Sequence, residues 1–271
     1  MKKIIKKIIP VSFLNFLRSI LLNHKRKLIK NLKFIKKENV IYMGTDYGGW
    51  SLLKNDNLKN KYIISAGLGE DASFDIEIIS KYNCKVIAVD PTPRAIDHYN
   101  EIIKNCGNFK TEEYREDGKL NIKSYDLTKI NNNNFILIKK ALYNNNHDLN
   151  FYAPINKSHV SFSLNNWQNG YSDKSEYIKV KTITVKNIID KFKIENLEIL
   201  KLDIEGAEIE VIKNILDQRI LPNQILVEFD ELNLKNKLAM DRFNEIHERL
   251  LSENYELIEG SKKFANFLYA K

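Results

Sequence analysis

Acidic side chains are concentrated in the stretches LKLDIEGAE (residues 200–208) and VEFDE (residues 227–231). In the first stretch apolar and charged residues alternate, which is the pattern of a strand with one apolar face. Asp203 and Glu205 come where that strand ends, before a Gly-Ala turn and a helix. A carboxylate that is buried without a partner is very costly, so these acids need a lysine, helix N–H groups, a metal ion or a substrate hydroxyl. Such a cluster suits general-base catalysis on a hydroxyl or the binding of a divalent cation.

The same acids also have a purely structural interpretation. Lys201 could form an ion pair with them, and Glu208, in the first turn of the next helix, is expected to serve that helix alone. Asp203 is the candidate for chemistry, because it stands at the end of its strand.

A second candidate site is the glycine turn in ISAGLGEDASFD, residues 64–75. Gly67 and Gly69 follow a short apolar strand, allow a tight turn and let a ligand approach the backbone, while the following helix offers free N–H groups. This spacing occurs in nucleotide-binding, S-adenosylmethionine-binding and non-binding loops, and it also fits the dinucleotide fingerprint. Glu70 and Asp71 would repel a pyrophosphate but not the cationic sulfonium and amino groups of S-adenosylmethionine. Asp71 could also simply cap the helix.

Asp90 ends the next strand, in AVDPTP at residues 88–93. It follows the glycine turn at close to the ~20-residue spacing of a carboxylate that binds a ribose diol. The alternative is a turn formed by Asp-Pro.

Alternating strand and helix patterns surround these residues. Strands are expected at 62–66, 86–89, 135–143, 199–204 and 224–229, and helices at 73–81, 95–104, 207–216 and 238–252. This order predicts right-handed crossovers and a mostly parallel sheet, and two last strands at 255–258 and 264–270 predict a closing antiparallel hairpin. Ligands bind such sheets beyond the carboxyl ends of the strands, where the glycine turn and the acids lie.

The segment at residues 147–180 interrupts this alternation with short, aromatic-rich pieces. A loop this long inside a domain is usually functional or disordered, and its aromatic residues argue against disorder. We interpret it as a small β insertion over the substrate side of the sheet. His159, within it, is a candidate base, although a lone histidine is more often structural.

The net charge of +8 comes from an N-terminal arm. Residues 1–38 hold 12 Lys and Arg against one acid, a local net charge of +11, so the remainder carries 8 − 11 = −3. The acidic body argues against nucleic acid as a partner. The arm, residues 1–39, is expected to be a basic helix that either lies on an anionic membrane surface or packs on the domain or a second subunit.

The cysteine count and the lack of a long apolar run indicate the cellular location. The two cysteines are too few for a disulfide framework and fit a reducing compartment. The sequence has no run of about 18 uncharged apolar residues, so a membrane-spanning helix is not expected. The expected location is the cytoplasm, with the arm at the inner face of the membrane as one option.

Six motifs together resemble the FkbM-type family of S-adenosylmethionine-dependent methyltransferases. They are YGGW (47–50), SAGLGEDASFD (65–75), AVDPTP (88–93), HVSFSL (159–164), LKLDIEGAE (200–208) and QILVEFD (224–230). The resemblance covers roughly residues 40–271, which we expect to form one methyltransferase domain. It implies a class I, Rossmann-like fold with a seven-stranded, mostly parallel sheet and an antiparallel C-terminal strand. It also implies methyl transfer to a hydroxyl of a sugar, a glycan or another small metabolite.

The resemblance assigns roles to individual residues. The expected cofactor contacts are Tyr47, Trp50, Gly67, Gly69, Glu70, Asp71 and Asp90. The expected catalytic residues are Asp203, Glu205 and His159. Related sugar O-methyltransferases use a divalent cation, which makes Mg²⁺ a candidate cofactor, with the ligands Asp203, Glu228 and Asp230. The glycine turn departs from the commoner Asp-Val-Gly form, since Ser65 and Ala66 replace the Asp-Val.

Two other functions stay open at this point. An NAD-dependent oxidoreductase would use the same glycine turn, and a non-catalytic, membrane-docked protein with a methyltransferase-like fold would use the arm. The intact set of Gly67, Gly69 and Asp90 argues against the second.

Overall fold

A computed structural model describes residues 31–113, 121–154, 162–164, 175–233, 237–260 and 266–271. The strands in these ranges are β1 (Val40–Met43), β2 (Trp50–Leu53), β3 (Tyr62–Ala66), β4 (Lys85–Val89), β5 (Phe135–Ile138), β6 (Ala141–Leu142), β7 (Asp148–Tyr152), β8 (Tyr177–Ile183), β9 (Ile199–Leu202), β10 (Gln224–Glu228), β11 (Glu256–Gly260) and β12 (Asn266–Ala270). The α-helices are α1 (Ser73–Tyr82), α2 (Pro93–Lys104), α3 (Val185–Phe192), α4 (Glu208–Asp217) and α5 (Lys237–Ser252).

The main sheet has seven strands in the order β11-β12-β10-β9-β3-β4-β5. The strands from β10 to β5 in this order run parallel, whereas β12 is antiparallel to both of its neighbours. The predicted mixed α/β architecture with a mostly parallel sheet is therefore confirmed. The expected closing hairpin is the β11–β12 pair.

Both faces of this sheet are covered by helices or by the β1–β2 hairpin. Successive residues of a strand point to opposite faces, so one strand contributes to both cores. In β3, Ile64 faces a core that includes side chains of α3, α4 and α5. Its neighbour Ile63 faces a second core formed with α1, α2 and the β1–β2 hairpin. Burial on both sides explains why the parallel strands are rich in Ile, Leu and Val.

The expected single strand at 135–143 is wrong in detail. The chain pairs with the main sheet only as far as Ile138, and Ala141–Leu142 then forms β6 of a separate sheet with the order β6-β8-β7. Two consecutive lysines, Lys139 and Lys140, lie at this break. Both β7 and most of β8 fall within the predicted insertion, and Tyr152 also pairs with Ser163.

The β1–β2 hairpin is fixed to the main sheet at its far end. The Leu53 N–H donates to the Gln224 side chain at 2.7 Å, and the same side chain donates back to the Leu53 carbonyl at 3.0 Å. This reciprocal pair joins β2 to the first residue of β10. The hairpin, whose loop carries Tyr47, Gly48 and Gly49 of the YGGW motif, is therefore attached to the main sheet.

Most of the N-terminal arm, residues 1–30, lies outside the described residues. Its last part packs on the domain: the Ile35 N–H donates to the Leu257 carbonyl of β11 at 2.8 Å, and Lys37 pairs with Glu256. Leu32 and Phe34 contact the core. Across the ranges that the structure describes, no helix is both long and apolar enough to cross a membrane.

Candidate active site

A cavity of about 350 Å³ lies beyond the carboxyl ends of β3, β4, β9 and β10. It brings together most of the site residues expected from the sequence, which are Tyr47, Gly67, Gly69, Glu70, Asp71, Asp90, Asp203, Glu205, Glu228 and Asp230. Trp50 is not among the described residues that line it, and His159 lies outside the described residues. The edge of the sheet at which ligands are expected to bind is thus the edge that carries the cavity.

The glycine turn is shaped by the close approach of β3 to β9. Gly67 has φ +83°, and a Cβ added there would lie 1.8 Å from the carbonyl oxygen of Asp203. The Asp203 N–H also donates to the Ala66 carbonyl at 3.1 Å. Gly69 has φ +57°, but a Cβ there would meet nothing within 4 Å. Gly67 is required by packing, and Gly69 leaves open space at the cavity.

Asp90 holds this turn in place. Its Oδ2 accepts from the N–H groups of Leu68 at 3.0 Å and of Gly69 at 3.1 Å. Its Oδ1 accepts from the Thr92 N–H at 2.8 Å and the Thr92 hydroxyl at 2.7 Å. A carboxylate offers about four acceptor positions, so these bonds fill them. A ribose hydroxyl on Asp90 would therefore have to replace the Thr92 hydroxyl.

The two acids after the glycine turn have specific partners. Glu70 is buried at 6 % exposure and is paired with Arg94 of α2, a residue that the sequence analysis missed. Asp71 accepts from the Ser73 N–H at 2.9 Å, which forms a turn just before α1. The N-cap position is Ala72, which makes no side-chain cap bond, so the expected capping of the helix by Asp71 is wrong. Asp71 also accepts from the Thr45 hydroxyl at 2.6 Å. Asp71 thereby joins the β1–β2 loop to the rim of the cavity.

The two aromatic residues of the YGGW motif have different positions. Tyr47 is 55 % exposed and lines the cavity. Partial burial and the negative charges of Asp203, Glu205 and Glu228 raise the pKa of its hydroxyl. Trp50 is 4 % exposed, and its ring lies 5.3 Å from the Lys201 ammonium. Trp50 therefore does not line the cavity among the described residues, but it contacts Lys201, which does.

Lys201 is the buried cation beneath the cavity. It is 3 % exposed, and its ammonium donates to the carbonyls of Gly67 at 2.7 Å and Ala66 at 3.4 Å. Burial raises the pKa of Asp203, the nearby Lys201 charge opposes that rise, and Asp90 adds to it. Lys201 therefore both supports the glycine turn and stabilises the charged form of Asp203. From the sequence, Lys201 was expected only as an ion-pair partner for the acids.

Asp75, in the first turn of α1, is a further buried acid close to Lys201. Burial raises its pKa to about 6, against the opposing charge of Lys201. Its Oδ1 has no hydrogen-bond partner among the described residues. Such a group is costly to ionise, and it marks a place where the fold depends on pH.

The turn after β9 has an unusual backbone. Glu205 has φ +55°, which is strained for a residue with a side chain, and it is followed by Gly206 at φ +103°. The Glu208 carboxylate accepts from the N–H groups of Ile204 at 2.9 Å and Gly206 at 3.0 Å. Ser163 donates its hydroxyl to the Glu205 carbonyl at 2.8 Å. Glu208 thus stabilises the turn before its helix, so the expectation that it serves the helix alone is wrong. The turn carries the Glu205 side chain at the cavity.

The carboxylates of the expected metal site do not form a ligand set. Asp203, Glu228 and Asp230 all line the cavity, but no three His, Cys, Asp or Glu side chains converge as metal ligands in the described part of the chain. The Asn233 amide donates to Asp230 at 2.8 Å. As far as the chain is described, these side chains do not fit a bound Mg²⁺, and no step of the mechanism is assigned to one.

Apolar walls complete the cavity from the small sheet. Phe151 of β7 and Leu142 of β6 line it together with Phe162. The sequence pattern indicated aromatic residues in this segment but gave no partner for them. Other lining residues that the sequence analysis did not name are Leu68, Val89, Pro91, Thr92, Ala141, Ile204 and Asn233.

Comparison with known proteins gives one match. The family model described as Methyltransferase FkbM domain matches residues 60–257, which include the glycine turn, Asp90 and the acidic end of β9. Searches of curated proteins and of solved structures found no significant match. The family match confirms the resemblance seen in the motifs. The chain belongs to the FkbM methyltransferase family.

Proposed function

We propose that this chain is an S-adenosylmethionine-dependent O-methyltransferase acting on a hydroxyl of a sugar, a glycan or another small metabolite. The observation that carries the proposal is the position of the glycine turn and the acidic end of β9 on one cavity. The strand order, with β12 antiparallel beside β10, supports the class I methyltransferase fold.

The polar groups of the cavity fit S-adenosylmethionine better than a dinucleotide. Glu70 and Asp71 place carboxylates where a pyrophosphate would lie on the turn, and the nearby Arg94 is paired with Glu70. Lys201 donates to backbone carbonyls and is committed to the turn. Gly67, Gly69 and Glu70 would hold the methionine end of the cofactor, and the ribose would lie near Asp90. When bound, the cofactor supplies a methyl group on a positively charged sulfur, which is open to attack by an oxygen.

The chain itself would align the acceptor and remove its proton. Asp203 is the candidate base, because it lines the cavity, burial raises its pKa and the nearby Lys201 charge opposes that rise. Its carboxylate would accept the proton of the acceptor hydroxyl as the oxygen attacks. The strained turn presents Glu205 to the same space, where it would orient the acceptor. Phe151 and Phe162 would exclude water.

Mass spectrometry with methyl-labelled S-adenosylmethionine tests the proposal on a panel of hydroxylated acceptors. The wild-type chain should place the label on an acceptor oxygen. Asp203→Asn should retain cofactor binding and lose about 10²–10⁴-fold in rate, the usual contribution of a general base. Asp190→Asn is the matched control, since Asp190 is exposed and pairs only with Lys186 among the described side chains. Full activity of Asp203→Asn would remove Asp203 as the base.

For the arm, we propose contact with an anionic membrane surface. Its cluster of lysines and arginines supports this, and the packing of residues 32–35 on β11 would fix the arm to the domain. Co-sedimentation with anionic vesicles at low and high salt is the test, and no binding at low salt would contradict it.

A further inference from the structure

A second cavity, of about 210 Å³, lies between the β1–β2 hairpin and the β11–β12 hairpin. Its aromatic lining residues are Tyr42, Tyr47, Trp50 and Phe267, and its hydrogen-bonding side chains are Asp46, Ser51, Glu259 and Asn266. Lys, Arg and His are absent from its described lining residues. Within the described residues, the cavity therefore offers ring faces and acceptor oxygens and no cationic side chain.

The two cavities are neighbours on the same edge of the main sheet. Tyr47 lines both of them. Glu228 of β10 lines the first cavity and pairs across the strands with Asn266 of β12, which lines the second. Residues directly opposite in an antiparallel pair lie about 4.5–5.5 Å apart at Cα. The two cavities thus share Tyr47 and have lining residues at paired positions of β10 and β12.

The aromatic residues of the second cavity are arranged for binding. Tyr42 and Tyr47 are 52 % and 55 % exposed, which is high for such large rings. The Tyr42 ring is fixed, because its hydroxyl donates to the Thr45 carbonyl at 2.7 Å and it lies close against Gly49. A fixed ring loses little conformational freedom when a ligand stacks on it. The combination of ring faces with carboxylate and hydroxyl oxygens matches a flat, polyhydroxylated ring.

Resting on the proposed function, we infer that the acceptor is a neutral oligosaccharide of at least two rings. The reacting ring occupies the first cavity beside Asp203, and the adjoining ring occupies the second. There it stacks on Tyr42 and Tyr47, and its hydroxyls donate to Asp46 and Glu259. The second cavity is a specificity site for the unit next to the methylated one.

An array of neutral glycans of one to four sugar units, with phosphorylated sugars as a comparison set, tests this inference directly. The wild-type chain, saturated with S-adenosylmethionine, should bind glycans of two or more units about tenfold more tightly than the single sugars that they contain, equivalent to about 1.4 kcal/mol. Tyr42→Ala and Glu259→Gln should each lose most of this preference. Because Glu259 is exposed at the sheet edge, its variant should fold normally even if Tyr42→Ala does not.

Two matched controls are available in exposed positions outside both cavities. Phe109→Ala and Glu101→Gln should keep the wild-type preference for longer glycans. The inference is overturned if single sugars bind as tightly as longer glycans, if only phosphorylated sugars bind, if no glycan binds, or if Glu259→Gln keeps the full preference. Binding of S-adenosylmethionine to the wild type is measured separately by calorimetry. If the wild type does not bind S-adenosylmethionine, the proposed function is rejected. If it binds S-adenosylmethionine but shows no preference for longer glycans, only the second site is rejected.

Discussion

Replacing Gly67 by alanine should separate the structural role of the glycine turn from that of an ordinary flexible loop. Two effects act on this residue. Its φ of +83° is unfavourable for alanine, and the new Cβ would lie 1.8 Å from the Asp203 carbonyl oxygen, a backbone atom that cannot move aside alone. Gly69→Ala is the matched control, because it has φ +57° and nothing within 4 Å of the added Cβ.

The magnitudes follow from these two effects. A left-handed conformation costs a residue with a side chain roughly 1–2 kcal/mol, and both variants incur it. Overpacking typically adds about 1–3 kcal/mol, and only Gly67→Ala incurs that. The free energy of unfolding should therefore fall about 1–3 kcal/mol further in Gly67→Ala than in Gly69→Ala. In a domain of this size each kcal/mol lowers Tm by about 2–4 °C.

Urea unfolding of the two variants and the wild type measures this difference, and thermal unfolding checks it. Gly67→Ala should also weaken S-adenosylmethionine binding, since the ends of β3 and β9 must move apart at the cavity floor. Equal losses of stability in the two variants would contradict this prediction, because they would mean that the close contact with the Asp203 carbonyl is not the reason for a glycine at position 67.

Three further predictions concern the charged groups. Lys201→Met should move the acidic limb of the pH–rate profile to higher pH, because Lys201 lowers the pKa of Asp203; Lys186→Met, which alters an exposed lysine, should leave the profile in place. Burial raises the folded-state pKa of Asp75 from 3.8 to about 6, so the wild type should lose up to about 3 kcal/mol of stability as pH rises from below 4 through 6. Asp75→Asn should not show this loss. Urea unfolding across this range measures it, and an unchanged pH dependence in Asp75→Asn would contradict it. The full chain should bind anionic vesicles at low salt and be released at high salt, as measured by co-sedimentation; binding that ignores salt would argue against an electrostatic arm.

The parts of the site that the sequence predicted depend on short-range patterns. Gly67, Gly69 and Asp90 follow strands whose apolar runs are clear, and parallel strands place their carboxyl ends at one edge. Asp203 and Glu205 were predicted for the same reason. The chemistry of these positions is encoded within a few residues of each strand end, which is why they could be placed before the fold was known.

The parts that the sequence did not predict depend on contacts between distant segments. Period-two alternation in β9 suggested a charged face, yet Lys201 is buried, and its ammonium donates hydrogen bonds to the carbonyls of Ala66 and Gly67. The pairing of Glu70 with Arg94 and the four bonds to Asp90 join different elements in the same way. Trp50 stands on a paired strand and packs inward, whereas Tyr47 lies in the loop and reaches the cavity.

Calorimetric titration of the wild-type chain with S-adenosylmethionine, and separately with NAD, tests the central claim most directly. We expect saturable binding of S-adenosylmethionine and no binding of NAD, since the turn presents carboxylates, and Lys201 is already bonded to backbone carbonyls. Binding of NAD without binding of S-adenosylmethionine, or no binding of either, would contradict it.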